Sequence, residues 1–174
     1  MKINSKVLVE AGIMIAMAQV LSYVVIFQMP QGGSVTAGSM VPIIFFALRR
    51  GWKQGILAGS VYGVLQFILG PKYSFHIISL LFDYAVAFGA LGLAGLLKPT
   101  SKRNIALGAI LAVLGRFACH FVSGVVIWSV YATGNPYWYS LGYNASYLLP
   151  EMMVSVFLLV LIYDPISRSI ERNG

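Results

Sequence analysis

The chain has 174 residues, of which 59% are hydrophobic and only 10% charged, with a mean hydropathy of +0.82. Soluble domains carry about 25% charged residues, so this composition excludes a water-soluble globular protein and defines an integral membrane protein, read as one domain over residues 1–174. Five acids and two His are few for a hydrolytic or redox centre, and the single Cys119 has neither a disulfide partner nor metal-site spacing.

A short basic lead, with Lys2 and Lys6, precedes an apolar run over residues 7–27. A signal peptide is the alternative, but the run is long and no A-x-A site follows it, so it reads as a retained first span. Gly12 and Ala16 form a small-xxx-small face that lets another helix approach closely. Residues 29–39, MPQGGSVTAGS, break the pattern. Pro30, Gly32, Gly33 and Gly38 make a loop, and its lack of charge suits a lid folded into a cavity mouth.

A second, short span is expected over residues 35–48, closed by a basic turn of Arg49, Arg50 and Lys53. The third covers 55–69 and the fourth 74–97, separated by Gly70, Pro71 and Lys72. Asp83 and Tyr84 lie inside the fourth. A carboxylate at that depth costs about 2.5–3.5 kcal/mol to insert and needs a partner or a ligand. Tyr73 and His76 lie toward the outer end of the same span, His76 either near Asp83 or simply solvated.

The fifth span, 105–130, follows a turn with Lys98, Lys102 and Arg103. It carries Arg116 and His120 one helical turn apart, then Trp128, with Gly115 and Gly124 leaving gaps beside them. Arg116 to Trp128 is roughly 18 Å at 1.5 Å per residue, more than half of a ~30 Å hydrocarbon core. Three such residues on one segment, matched by acids and aromatics elsewhere, point to a ligand site. The connector 132–143 holds Tyr137, Trp138, Tyr139 and Tyr143. An interfacial aromatic belt accounts for Trp138, whereas Tyr139 and Asn144 lie close enough to the sixth span, 145–162, to join a pocket. Pro150 interrupts that span, and Glu151 is a second intramembrane acid with Arg116 or the ligand as its candidate partner.

Six spans put both termini on one side. Lys2, Lys6, Arg49, Arg50, Lys53, Lys98, Lys102, Arg103, Arg168 and Arg172 fall there, and only Lys72 lies in an opposite loop. The positive-inside rule makes that side cytoplasmic, so the net charge of +7 is a topology signal that needs no nucleic acid. The polar and aromatic residues then converge on an outward-facing pocket beneath the 29–39 loop. Trp and Tyr faces attract flat rings and cations, a desolvated Asp stabilises positive charge, and Asn, Tyr and His add directional hydrogen bonds. A flat, cationic or amine-bearing heterocycle fits this set. The cytoplasmic face has no P-loop, so any use of ATP belongs to partners.

These motifs resemble the thiamine-specific substrate-binding subunits (S-components, the ThiT family) of energy-coupling-factor (ECF) vitamin transporters. The resemblance covers nearly the whole chain. It rests on the MPQGGSVTAGSMVPI loop with its ALRRG turn, the Asp83–Tyr84 pair, the Arg116, His120 and Trp128 pattern, and YSLGYNASYLLPE at residues 139–151. It implies an all-α bundle of six transmembrane helices with cytoplasmic termini, in a prokaryotic plasma membrane. Such a subunit binds thiamine from outside, with no permanent cofactor or metal, and docks on a transmembrane coupling subunit with two ABC-type ATPases.

By the same resemblance Trp128 and His120 flank the ligand rings, and Asp83 reads the aminopyrimidine or offsets the thiazolium. Tyr139 and Asn144 give hydrogen bonds, while Tyr73, Tyr84 and Arg116 complete the site. Gly12 and Ala16 fall on the coupling-subunit contact. Two departures stand out. Some members have Glu where this chain has Asp83, and some close the site with a loop Trp where it has Gly33, which implies a weaker or differently shaped lid. Other readings are an S-component for riboflavin, biotin or the bare thiamine pyrimidine, a self-contained carrier, and an intramembrane enzyme. An aspartyl enzyme would need Asp83 paired with Glu151, and a solitary carrier is disfavoured by 174 residues without an inverted repeat.

Overall fold

The computed structural model describes residues 5–173; Lys2, counted above among the basic residues near the termini, lies outside them. Six helices and one small hairpin build the molecule. Helix α1 (Ser5–Ser22) leads into strands β1 (Val25–Gln28) and β2 (Ser34–Thr36), followed by α2 (Val41–Arg50) and α3 (Trp52–Leu69). Then come α4 (Ile77–Leu96), α5 (Lys102–Val126) and α6 (Pro136–Asn173). Helices α1, α4, α5 and α6 are long and apolar enough to cross a membrane.

Several boundaries differ from the sequence reading; the helix expected over 105–130 ends at Val126, and Trp128 opens a separate 3₁₀ turn, Trp128–Tyr131. The first helix stops at Ser22, where the hydroxyl donates back to the Gln19 carbonyl at 2.7 Å. The β-branched Val24, Val25 and Ile26 favour extended chain, and β1 pairs antiparallel with β2, Val25 opposite Thr36 and Gln28 opposite Ser34. The loop expected at 29–39 is therefore largely a hairpin. Its tip is closed by Met29 N–H donating to the Gly33 carbonyl and by Gly32 at φ 97°.

The second helix starts at Val41, not 35, after Gly38 at φ 95° and with Pro42 in its first turn. Its 10 residues rise about 15 Å, half of what a membrane crossing needs. Residues 41–48 are all buried, and the polar residues Arg49 and Arg50 are confined to the last turn.

The sixth helix starts nine residues before the expected 145. Asn135 caps it, its Oδ1 accepting from Tyr137 N–H at 2.9 Å, and Pro136 takes the first helical position. It then continues through Pro150 and Pro165 to residue 173.

Helix α4 is irregular. One α turn (Ile77–Ser79) gives way to a π turn (Leu80–Ala85), another α turn (Val86–Gly89) and a 3₁₀ stretch (Ala90–Leu96). In a 3₁₀ helix, residues three apart eclipse, which lines up Gly89, Gly92 and Gly95. On the regular helix α3 the matching row is spaced by four, Gly55, Gly59 and Gly63. A Cβ on Gly92 would lie 2.1 Å from Ile56 N, and one on Gly59 would lie 2.2 Å from the Phe88 carbonyl. The two backbones touch because both rows lack side chains.

At one end of the bundle Glu10 of α1 sits between Arg49 and Arg50 at the end of α2. Its Oε1 accepts from Arg49 Nε at 3.0 Å and its Oε2 from Arg50 Nε at 2.8 Å, with Arg50 Nη2 also bonded. Arg49 Nη1 reaches Ser167 Oγ at 2.8 Å and Glu171 at 3.4 Å on α6. The start of α1 and the end of α6 therefore share one face, as the sequence reading expects of the termini.

Gly92→Ala should lower stability by about 1–3 kcal/mol, the usual cost of overpacking, because the new methyl meets backbone that cannot rotate away. Thermal unfolding in detergent measures this; an unchanged midpoint would refute the close α3–α4 contact.

Candidate ligand site

The π turn of α4 holds Asp83, and π turns frequently mark functional sites because the extra residue displaces the helix face. Asp83 Oδ2 accepts from Ser79 Oγ at 2.6 Å, Ser123 Oγ at 2.8 Å and Trp128 Nε1 at 3.1 Å. Its Oδ1 lies 3.2 Å from His120 Nδ1. Four donors from α4, α5 and the 3₁₀ turn Trp128–Tyr131 thus converge on one carboxylate whose side chain is 13% exposed.

His120 continues the chain of bonds. Its Nε2 accepts from Arg116 Nε at 3.1 Å. One ring nitrogen accepts from a guanidinium and the other faces a carboxylate, which only the neutral Nδ1–H tautomer satisfies. The Arg116 guanidinium also lies 4.1 Å from the centre of the Phe88 ring, a cation–π contact. Among the described residues no carboxylate comes within 4.0 Å of it.

Helix α6 supplies the opposite wall. Tyr139, Tyr143, Tyr147 and Glu151 recur every four residues and so share one face. Tyr139 stacks on Tyr143 at 6.0 Å, and Tyr147 meets Tyr143 and His120 edge to face. Asn144 is 4% exposed and engaged within the protein. Its Nδ2 donates to the Ser140 carbonyl at 2.9 Å, and its Oδ1 accepts from Tyr147 OH at 2.8 Å. It ties α6 to α5, since Nδ2 also lies 3.3 Å from the His120 carbonyl.

The hairpin roofs the space. Tyr143 OH accepts from the backbone N–H of Gln31 at 3.1 Å and Gly33 at 3.3 Å. Gln28 Nε2 donates to Tyr73 OH at 2.7 Å. A Cβ on Gly33 would fall 2.5 Å from the Tyr147 ring, and one on Gly32 would fall 2.5 Å from the Tyr73 ring. The roof is therefore backbone pressed between tyrosines, and Gly33 packs directly on the Tyr147 ring.

A cavity of about 190 Å³ lies beneath, lined by Tyr73, Asp83, Tyr84, Arg116, His120, Trp128, Tyr139 and Asn144 among others. All eight residues singled out from the sequence border it. Several lining residues escaped the sequence reading, among them Tyr62 and Gln66 on α3. Gln66 Nε2 reaches Gln19 and Ser22 of α1, each at 2.9 Å. Their signal was faint: a lone Gln and Tyr one turn apart in an apolar run.

Glu151 borders the cavity but pairs with Thr36 rather than with Arg116. The gaps expected beside Gly115 and Gly124 are filled by neighbouring helices, by Leu93 and Ala90 at the first and Ser140 at the second. His76 is exposed and caps α4 through its Nδ1, away from the cavity. Trp138 is 73% exposed on the outer rim. Gly12 and Ala16 are exposed on α1 among Leu8, Val9, Ile13, Met17 and Val20, and nothing lies within 4 Å of a Cβ built on Gly12.

Taken together, a bundle with four helices long and apolar enough to cross a membrane, a roofed aromatic cavity and a buried, fully bonded acid defines a membrane protein with an internal polar cavity. The chain belongs to the thiamine transporter protein family, whose model matches residues 8–170. It is 36% identical over 182 residues to the thiamine transporter ThiT of Bacillus subtilis (strain 168), covering 95% of this chain and 94% of that protein. It is 29% identical over 180 residues to ThiT of Lacticaseibacillus paracasei, covering 88% and 87%. Among solved structures, ThiT from Listeria monocytogenes superposes with a TM-score of 0.85 at 23% identity, covering 95% and 98% of the two chains. The S component of a bacterial ECF transporter does so at 0.55 and 17% identity, covering 96% of each. These two likenesses establish the fold, a six-helix S-component-like bundle.

In the ligand-free protein at neutral pH, ¹⁵N NMR of labelled histidine should show His120 with Nδ1 protonated and Nε2 bare. An Nε2–H or doubly protonated ring would contradict the Arg116–His120–Asp83 chain.

Proposed function

We propose that this protein is the thiamine-binding S-component of an ECF-type importer. It takes thiamine from outside a prokaryotic plasma membrane and docks on a transmembrane coupling subunit with two ABC-type ATPases. In this role it binds and presents a solute and catalyses no reaction. Family membership gives the ligand class, and the observation that carries the reading is the cavity itself, where all eight sequence-selected residues meet.

The charges fit. With Asp83 and Glu151 as carboxylates, Arg116 as a cation and His120 neutral, the lining carries one surplus negative charge. Thiamine brings one fixed positive charge on its thiazolium ring, so the complex is neutral in a medium that penalises net charge. Trp128, Tyr139 and Tyr84 offer faces for two flat rings. Tyr73 and Tyr139 keep hydroxyls at the rim, and Arg116 retains N–H groups for a polar tail. Asn144 acts mainly by holding Tyr147 and α5 in place.

Docking is assigned to the outward face of α1. Gly12 and Ala16 sit one turn apart there in an apolar stripe, and small residues let a second helix approach closely. The positive turns put that end of α1 and both termini in the cytoplasm.

Thiamine titrated into purified, ligand-stripped protein should quench tryptophan fluorescence saturably, while riboflavin and biotin do not. In Trp128→Phe the optical signal should fall while calorimetric binding persists. Asp83→Asn should weaken thiamine binding about 30-fold or more, the loss expected when one partner of a buried charge pair is neutralised. No thiamine binding by calorimetry would overturn the assignment.

Gly12→Trp should leave thiamine affinity unchanged and abolish uptake in cells carrying the coupling subunit and ATPases. Lost binding in the purified variant would instead make that face internal packing.

A further inference from the structure

Glu151 is 2% exposed, and both carboxylate oxygens are taken by one residue of the hairpin. Its Oε2 accepts the backbone N–H of Thr36 and its Oε1 the Thr36 hydroxyl, each at 2.6 Å. Since the Thr36 hydroxyl proton is committed to Glu151, Ser39 supplies the next donors. Its N–H reaches Thr36 Oγ1 at 3.0 Å, and its hydroxyl lies 2.9 Å away. Hydrogen bonds to a carboxylate are about twice as strong as neutral ones. Among the described residues no cation stands within 4.0 Å of Glu151, so Thr36 is its principal partner.

The other ties between hairpin and bundle differ in kind. Tyr143 and Tyr73 hold the tip and outer strand through neutral bonds, and the Gln28–Tyr73 bond is exposed. Thr36 sits at the opposite end of the hairpin, where β2 is buried and opposes Val25. Two residues on, Gly38 takes φ 95°. The roof thus has one charged, buried attachment at its root and weaker, wetter ones at its tip. A cavity of about 190 Å³ is also below the ~300–1,000 Å³ of typical ligand pockets, which favours a roof that yields on loading.

We propose that Glu151 is a positioning residue, the root anchor about which the hairpin swings. In this arrangement the Tyr73 and Tyr143 contacts release to open the cavity while the Thr36–Glu151 pair stays closed. Glu151 then governs how long a bound ligand is retained without contacting it directly. The effect on retention rests on the thiamine reading above; the anchoring does not.

Hydrogen exchange followed by mass spectrometry on the ligand-free protein tests the anchor. Glu151→Gln replaces one accepting carboxylate oxygen by an NH₂ group and removes the charge, so the bonds to Thr36 become neutral ones. Thr36→Val keeps shape and backbone N–H but loses the hydroxyl, and Thr36→Ser restores it. Exchange across residues 34–39 should rise about tenfold or more in Glu151→Gln and Thr36→Val, the factor set by losing a charge-assisted bond. It should stay near wild type in Thr36→Ser, with α3 and α5 amides unchanged throughout. With thiamine, the dissociation rate should rise by a similar factor in the first two variants and the association rate should barely move.

Unchanged hairpin exchange in Thr36→Val overturns the anchor even if Glu151→Gln fails to fold. Equal acceleration across all helices also overturns it, because that marks a general loss of stability. A wild type that shows the exchange pattern but retains no thiamine overturns the functional reading and leaves the anchor standing.

Discussion

A carboxylate inside a hydrocarbon layer is tolerated only if its lone pairs are spoken for, and this bundle is arranged so that Asp83 meets that condition. Donors arrive from Ser79 on its own helix, from Ser123 and His120 on α5, and from the indole of Trp128. Each donor also fixes something else. The indole bond sets the plane of Trp128, and the imidazole bond sets the tautomer of His120 and through it the direction of Arg116. The aromatic surfaces that a flat ligand would meet are therefore oriented by the charge it would neutralise. Preorganisation of this kind lowers the entropy that binding must overcome.

That arrangement needs α3 and α4 at backbone contact. Gly63 lies against the Tyr84 carbonyl, one residue from Asp83, and a Cβ there would stand 2.4 Å away. Glycine rows spaced by four on an α-helix and by three on a 3₁₀ helix bring the chains together along three turns. Without side chains between them, the irregular winding of α4 is held by its neighbour's backbone, and the π turn keeps Asp83 aimed inward. The short α2, buried along residues 41–48, fills the centre, and the helices long and apolar enough to cross a membrane are α1, α4, α5 and α6.

Much of the site was legible in the sequence because charge and aromaticity are conspicuous in an apolar chain. Asp83, Arg116 and His120 stood out by depth alone, and helical spacing placed two of them together. Contacts between distant segments were not legible. Thr36 and Glu151 are 115 residues apart, and nothing local in either says that they meet. The hairpin was hidden by its glycines, which read as loop although Val24, Val25 and Ile26 favour extended chain. The start of α6 was hidden by treating all of 132–143 as a connector, when Asn135 before Pro136 serves as cap and first turn. The tyrosine row of α6 needed that earlier start to be seen, because Tyr139 and Tyr143 fall before residue 145. The winding of α4 had only its glycine spacing as a signal, and a spacing of three does not by itself announce a 3₁₀ helix.

Helix α6 runs 38 residues, about 57 Å, almost twice the hydrocarbon thickness. Each of its two prolines lacks the N–H that would bond back to the previous turn, so bending stiffness is lowest there. They fall one residue before Glu151 and two before Ser167, beside the residues that hold the hairpin root at one membrane face and Arg49 at the other. Between them the rod is uninterrupted for fourteen residues, about 21 Å. Mechanically the stretch between the prolines is a stiff strut with a residue lacking the backbone bond at each end. A bend at Pro150 would leave the grip of α6 on Arg49, beyond the second proline, undisturbed.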